Sequence, residues 1–268
     1  MGAEYVRVER SRDVTTIILE RPNVRNAVDR PTGDALVKAF LAFDTDEKAK
    51  VAVLWGAGGN FCAGADLRGL SEGRGNRLSV PGHHFDAHAV DAPMGPTRMR
   101  LSKPVVAAVA GYAVGGGHIL HLVCDLTIAA DNARFGQTGP RVGSFDGGFG
   151  AGLLARQIGA KRAKEIWFLL RLYDADEAFR MGLVNTVVPV ADLEREAVAW
   201  CREMGHLSPL SLRLLKSSFN AAEDGITGLQ QLSHDATLLF YMSEEGQEGR
   251  NAYQEHRPPD FSKFPRRP

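Results

Sequence analysis

The feature that most constrains this chain is the uninterrupted apolar run Pro104-Val105-Val106-Ala107-Ala108-Val109-Ala110, which leads directly into Gly111-Tyr112-Ala113-Val114-Gly115-Gly116-Gly117. Seven apolar residues without polar alternation read as a strand buried on both faces, which in turn needs layers of structure above and below its sheet. The glycines that follow break the strand, and Ile119 to Cys124 reads as a short buried helix. Val14–Leu19, Val51–Trp55, Leu126–Ala129 and Leu183–Pro189 read as further strands, the first of them β-branched. Pro31 to Phe43 carries helical spacing in Leu36, Phe40 and Phe43. Strands alternating with helices, in units too long for hairpins, indicate an α/β arrangement with crossovers.

The pattern changes after Gly148. Ala151–Ile158, Lys161–Leu170, Asp176–Met181, Ala191–Met204, Pro209–Ala222 and Leu229–His256 all read as helices. The expectation is an α/β core over residues 1–200 followed by a helical region over 201–268. The stretch from Leu70 to Leu101 is rich in Gly, Pro, His and Asp with little periodicity. In a compact domain such a length suggests a lid, a binding loop or a disordered stretch.

Charge excludes some functions. Thirty-two basic residues balance thirty-two acidic ones, so no global field favours nucleic acid or an anionic membrane. The three cysteines, Cys62, Cys124 and Cys201, are widely spaced and odd in number, as expected of reduced thiols in a cytosol. No apolar run reaches the roughly 20 residues a bilayer requires, and the N-terminus lacks the apolar stretch of a signal peptide. The expected setting is cytoplasmic.

Two glycine-containing turns carry the candidate chemistry. One is Gly59-Asn60-Phe61-Cys62-Ala63-Gly64-Ala65-Asp66-Leu67; the other is Gly111–His118. Each runs from a buried strand toward a helix start, where backbone N–H groups lack partners and the helix dipole is positive. Facing each other, two such turns hold a developing oxyanion between amides. Singly, either cluster is better read as a tight turn with close helix–strand packing.

Together these turns resemble the crotonase (enoyl-CoA hydratase/isomerase) superfamily, as does Arg21-Pro22-Asn23-Val24-Arg25-Asn26-Ala27 before them. The resemblance covers essentially the whole chain. It implies a spiral of ββα units with a helical C-terminal trimerisation region, assembled as a homotrimer or a homohexamer. It also implies that the amides of Ala65 and Gly116 form an oxyanion hole for an acyl-coenzyme A thioester. Arg25 would lie near the coenzyme A phosphates or adenine, with Ala63, Gly64, Asp66, Leu67, Arg68, Tyr112, Gly115 and Thr138 lining the substrate site.

Hydratases of this superfamily add water with two glutamates, one placed two residues after the triple glycine and one two residues after Phe-Gly-Gln. Here those positions hold Ile119 and Gly139, neither of which moves a proton. The first half of the chain is closer to generic enoyl-CoA hydratases. From Gly111 onward it is similar to the 1,4-dihydroxy-2-naphthoyl-CoA synthases of menaquinone biosynthesis. The likeness is dense in Phe135–Gly148, Glu165–Leu169, Leu183–Pro189, Phe240–Arg250 and Pro259–Phe264. That resemblance implies an intramolecular Claisen ring closure of o-succinylbenzoyl-CoA. Bound bicarbonate would be the catalytic base, held by Gln137, Thr138, Gly139 and Trp167. Ser144 and Asp146 would act on the second carboxyl group and on proton delivery, and Tyr241 would approach from a neighbouring subunit. Read without the resemblance, Ser144 and Asp146 are a cap or turn motif.

Other functions stay open on these residues. A hydratase/isomerase using Asp146 or a ring-opening ketoacyl-CoA hydrolase would keep the fold. A catalytically silent scaffold binding acyl-CoA or RNA is a different class, opposed by the zero net charge and by the intact Gln137–Asp146 run. His118, His121 and Cys124 recur every three residues, but their apolar surroundings favour core packing over a metal site. The resemblance implies no metal.

Overall fold

A computed structural model describes residues 5–66, 101–142, 150–224, 236–237 and 239–265. The chain forms two compact units, 1–209 and 210–268.

The first unit is built on a six-stranded sheet of order β1-β2-β3-β4-β6-β9, comprising β1 (Val6–Ser11), β2 (Val14–Leu19), β3 (Val51–Gly56), β4 (Val105–Val109), β6 (Leu126–Ala130) and β9 (Thr186–Val188). Only the β1–β2 pair is antiparallel; the other four pairings are parallel. The apolar run of β4 is explained by its place inside this sheet, where all five residues are buried. Its side chains alternate between two cores. Val105, Ala107 and Val109 join Ala52, Leu54, Ile17 and Leu19 on one face, while Val106 and Ala108 join Val51, Val53 and Val14 on the other. The period-two geometry of a strand makes this division unavoidable once both faces are covered.

Helix α1 (Arg30–Thr45) covers the first face through Leu36, Phe40 and Phe43. Asp29 starts it, accepting a hydrogen bond from the Thr32 N–H at 3.0 Å. At the other end Lys103 Nζ donates to the carbonyls of Phe43 and Asp46 at 3.0 and 2.7 Å, adding a cation at the negative end of the helix. Burial lowers the pKa of this lysine. The second face is covered by Leu193, Ala197 and Cys201, which recur along one side of the Leu193–Gly205 helix. Burial of these faces is the main stabilising term: each fully buried Phe or Leu contributes roughly 1.5–3 kcal/mol.

A second sheet, β5 (Tyr112–Val114), β7 (Arg134–Gly136) and β8 (Tyr173–Asp174), was not visible as strand in the sequence because its strands are two or three residues long. Between β5 and β6 lies α2 (Gly116–Leu122); α3 (Gly150–Ile158), α4 (Ala160–Leu169), α5 (Ala175–Arg180) and α6 (Leu193–Gly205) follow. Strand β1 also went unread, since four of its six residues are exposed and its sequence is charged.

The second unit holds α7 (Pro209–Asp224) and α8 (Glu244–Gln254). The single helix expected over Leu229–His256 is broken at Ser243. Its Oγ donates to the Phe240 carbonyl at 2.6 Å and accepts from the Gly246 N–H at 3.1 Å, so it ends one helical segment and caps the next. Glu248 accepts from Arg257, Lys263 and the Asp260 N–H, holding the tail against α8. Arg257 foremost keeps the Glu248 carboxyl well below the usual carboxylate range. Among the described residues, no helix is long and apolar enough to cross a membrane.

Candidate active site

The first glycine turn leaves β3 through a 3-10 turn, Ala57–Gly59, and continues extended along β5. Phe61 N–H donates to Ala110 O, Cys62 N–H to Tyr112 O, and Val114 N–H to Cys62 O, at 2.7, 2.8 and 3.1 Å. Beyond Cys62 the segment turns toward residues 25–28. Ala63 N–H donates to Arg25 O at 2.9 Å, Val28 N–H to Gly64 O at 2.7 Å, and Asp66 N–H to Val28 O at 3.0 Å. The last two bonds form a parallel bridge centred on Ala65. In such a bridge the partner strand bonds the residues either side of the central one, so the Ala65 N–H points the other way. Among the described residues it has no acceptor.

The second turn depends on Gly115. Its φ of 56° and ψ of −123° are reached without strain only when no Cβ is present. This conformation turns the peptide between Gly115 and Gly116 outward, at the first position of α2, where a helix N–H has no intrahelical acceptor. Gly116 N–H likewise has no acceptor among the described residues. The two turns press together at Gly64, whose φ is +92°. A Cβ there would lie 2.8 Å from Val114 O and 3.0 Å from the Gly116 nitrogen. At Gly117 a Cβ would meet Cys62 O at 2.0 Å. The glycines therefore bring two outward amides, Ala65 and Gly116, onto adjacent backbone, an arrangement able to polarise one carbonyl oxygen.

Beside this pair stands Thr138, whose hydroxyl would lie 3.1 Å from a Cβ on Gly115. Gln137 before it is only 1% exposed, and its Nε2 has no partner among the described residues. Trp167 Nε1 is a second buried donor without one. Gln137 lies two residues before Gly139, which opens a 3-10 turn (Gly139–Val142), and α4, carrying Trp167, packs on that turn. Buried N–H groups without acceptors are costly and rare, so two of them on elements that meet at one turn mark a place for an acceptor. The chemistry of this donor set, two buried N–H groups and the Thr138 hydroxyl, fits an acceptor such as a small oxyanion.

Ile119 is half-buried and packs on the core from α2, and so offers no acid or base. His118 and His121 are fully buried, edge to face with each other and near Phe135. Burial pushes the His118 pKa down to about 3 and that of His121 well below its usual value. Cys124 Sγ donates to Leu120 O. Burial raises the Cys62 thiol to about 12, which removes it as a nucleophile. Arg25 lies with its guanidinium 5.2 Å from the Tyr112 ring centroid, bordering the first turn. Asp66 is ion-paired with Arg21 at 2.9 Å. Tyr241 belongs to the second unit and is 62% exposed. Leu67, Arg68, Ser144 and Asp146 lie outside the described residues, as does the expected loop up to residue 100.

In the sequence Arg21 and Asn26 stand only as part of the Arg21–Ala27 motif, with no role for either, and Asp29 is not marked. Asn26 is wholly buried; its Oδ1 accepts from Arg21 N–H, and its Nδ2 donates to Ala57 O and Asn60 O at 2.8 and 2.7 Å. It locks the segment after β2 to the first glycine turn. The only local signal is its left-handed φ of 58°, a conformation in which asparagine is enriched.

The family model described as enoyl-CoA hydratase/isomerase matches residues 9–264. Among solved structures, the enoyl-CoA hydratase subunit I of Geobacillus kaustophilus is 33% identical with a TM-score of 0.76, over 96% of this chain and 98% of that one. The enoyl-CoA hydratase of Bacillus anthracis is 31% identical with a TM-score of 0.74, over 97% and 100%. An enoyl-CoA hydratase/carnitine racemase from Magnetospirillum magneticum is 28% identical with a TM-score of 0.77, over 97% and 96%.

Proposed function

The chain belongs to the enoyl-CoA hydratase/isomerase family, and from that premise we propose that it forms a thioester enolate and uses it to make a carbon–carbon bond, as a 1,4-dihydroxy-2-naphthoyl-CoA synthase-type cyclase. Membership makes it an enzyme acting on acyl-CoA. The observation that carries the finer reading is the pair of buried donors, Gln137 Nε2 and Trp167 Nε1, beside a glycine where a hydratase needs a carboxylate. A carboxylate at position 139 would be both base and hydrogen-bond acceptor. With Gly139 there, this chain supplies neither from that position, and a bound small anion would have to.

The amides of Ala65 and Gly116 accept the thioester oxygen and stabilise the charge it gains as the α-proton leaves. Each such donor is worth about 2.7–4 kcal/mol in the transition state. Gln137, Trp167 and Thr138 would hold bicarbonate as hydrogen-bond donors. Bound there, bicarbonate supplies the base that an ordinary hydratase carries as a side chain. Arg25 neutralises the coenzyme A phosphates. Ser144 and Asp146 orient the second carboxyl group and return a proton as water leaves, and Tyr241 completes the site from a neighbouring copy. Exposed Phe168, Leu169 and Phe179 in the first unit, and Phe219, Tyr241 and Met242 in the second, support a homotrimer or homohexamer in which such side chains are covered.

The solved relatives named as hydratases favour a second reading, a hydratase/isomerase whose carboxylate comes from Asp146. Turnover of o-succinylbenzoyl-CoA and of crotonyl-CoA, each with and without added bicarbonate, separates the two. Cyclisation that rises with bicarbonate supports the cyclase. Hydration of crotonyl-CoA at ordinary enzyme rates overturns it.

A further inference from the structure

We propose that Arg21 is a positioning residue for the Ala65 amide, acting through Asp66. The inference rests on the reading of Ala65 and Gly116 as the donors to the thioester oxygen.

Alanine has no side chain able to fix the orientation of the Ala65 peptide, and among the described residues its N–H has no acceptor to hold it. Its plane is set by what grips the residues on either side. On one side Val28 N–H takes Gly64 O, and on the other Asp66 N–H takes Val28 O. Both bonds reach the same residue, and on the N-terminal side Ala63 N–H adds a bond to Arg25 O at 2.9 Å. On the C-terminal side the Asp66 carboxylate supplies a further anchor, accepting from Arg21 Nη2 at 2.9 Å. The same guanidinium lies 3.2 Å from Asp29 Oδ2 and donates to the Ala27 carbonyl.

Arg21 therefore joins both ends of the 27–29 segment, which carries Val28, to the residue that follows Ala65. Its own backbone is fixed in turn: Arg21 N–H donates to Asn26 Oδ1 at 2.9 Å, and its guanidinium stands 5.6 Å from the Tyr5 ring centroid. The side chains of Arg21, Asp29 and Asp66 are only 16%, 14% and 14% exposed, so the ion pairs are little screened by water. One cation between two acidic side chains at this depth holds its geometry better than a surface pair. The guanidinium fork is what allows contact with three separated oxygens at once. A lysine ammonium, a point charge on a flexible stem, cannot reproduce it.

The test reads polarisation of the carbonyl apart from turnover. Acetyl-CoA labelled with 13C at its carbonyl is bound to wild type, to Arg21→Lys and to Asp66→Asn, and its carbonyl chemical shift is recorded. Calorimetry with coenzyme A alone reports the rest of the pocket. Wild type is expected to move the carbonyl downfield. Each variant should lose part of that displacement and up to about 100-fold in kcat, the scale of a small misplacement of a catalytic group. Coenzyme A affinity should stay within about twofold, since free coenzyme A carries no thioester carbonyl for the Ala65 amide to hold. The double variant should be no worse than the more severe single one, because both substitutions cut the same link. A downfield shift retained in Arg21→Lys overturns the positioning role alone, whereas absence of any shift in wild type overturns the donor reading and this one with it. Should Arg21→Lys fail to fold, the isosteric Asp66→Asn carries the same test.

Discussion

Gly64→Ala is the substitution that most directly probes the paired turns. The added methyl would lie 3.0 Å from the Gly116 nitrogen and 2.8 Å from Val114 O, so backbone, not a flexible side chain, has to yield. Separation to an ordinary contact requires a shift of roughly 0.5–1 Å between the two donors, given carbon contacts of about 3.5–4.0 Å. The φ of +92° adds strain on the order of 1–3 kcal/mol for any residue with a Cβ. Loss of one aligned donor predicts a fall in kcat of about 100- to 1000-fold. The strain predicts a drop in Tm of about 2–4 °C per kcal/mol for a chain of this size. Steady-state kinetics on the accepted acyl-CoA, with calorimetric titration of free coenzyme A, separates the effects: kcat should collapse while coenzyme A affinity changes little. Gly152→Ala is the control, since a Cβ there meets nothing within 4 Å and the residue lies in α3. It should stabilise by about 0.5–1 kcal/mol with kcat unchanged. A Gly64→Ala enzyme with kcat close to wild type would refute the claim that the Gly116 amide faces the reacting oxygen.

Asn26→Ala leaves Arg21 N–H, Ala57 O and Asn60 O without their partner in a fully buried place. At about 1–3 kcal/mol for each unsatisfied group, the chain should lose several kcal/mol, read as a lower urea midpoint; a loss below about 1 kcal/mol would contradict the accounting. His118→Phe should blunt the acid sensitivity of the fold. Below the ordinary imidazole pKa of 6.5 an unfolded chain binds protons at His118 and His121, while burial keeps His118 neutral in the folded chain to about pH 3. The unfolded state then holds more protons, so stability is full above pH 6.5 and falls below it by about 1.4 kcal/mol per pH unit for each imidazole. Urea titrations between pH 7 and pH 4.5 should show a shallower slope in the variant, and an unchanged slope would remove His118 as the cause.

The apolar run Pro104–Ala110 already carried the main architectural fact, because a strand without polar alternation has to be buried on two faces. The structure places it in the sheet between β3 and β6. The two glycine turns were equally legible as places where backbone amides emerge, since glycine is required wherever a backbone must pass close or adopt a positive φ. The strands β5, β7 and β8 were not legible: at two or three residues they carry no periodicity, and only pairing with distant segments makes them strands. Asn26 and Arg21 were hidden for the same reason. Their importance lies in partners 31 to 45 residues away, and no local pattern records such distances. Residue order alone thus settled where glycine turns follow buried strands, and that positions 119 and 139, where the resemblance implies carboxylates in a hydratase, hold Ile and Gly. Only the tertiary structure decided that the turns press together at Gly64, that Ala65 points away from Val28, and that Gln137 and Trp167 keep buried donors in reserve. Each of these is a relation between segments distant in sequence, fixed by hydrogen bonds and van der Waals contact once the sheet brings them together.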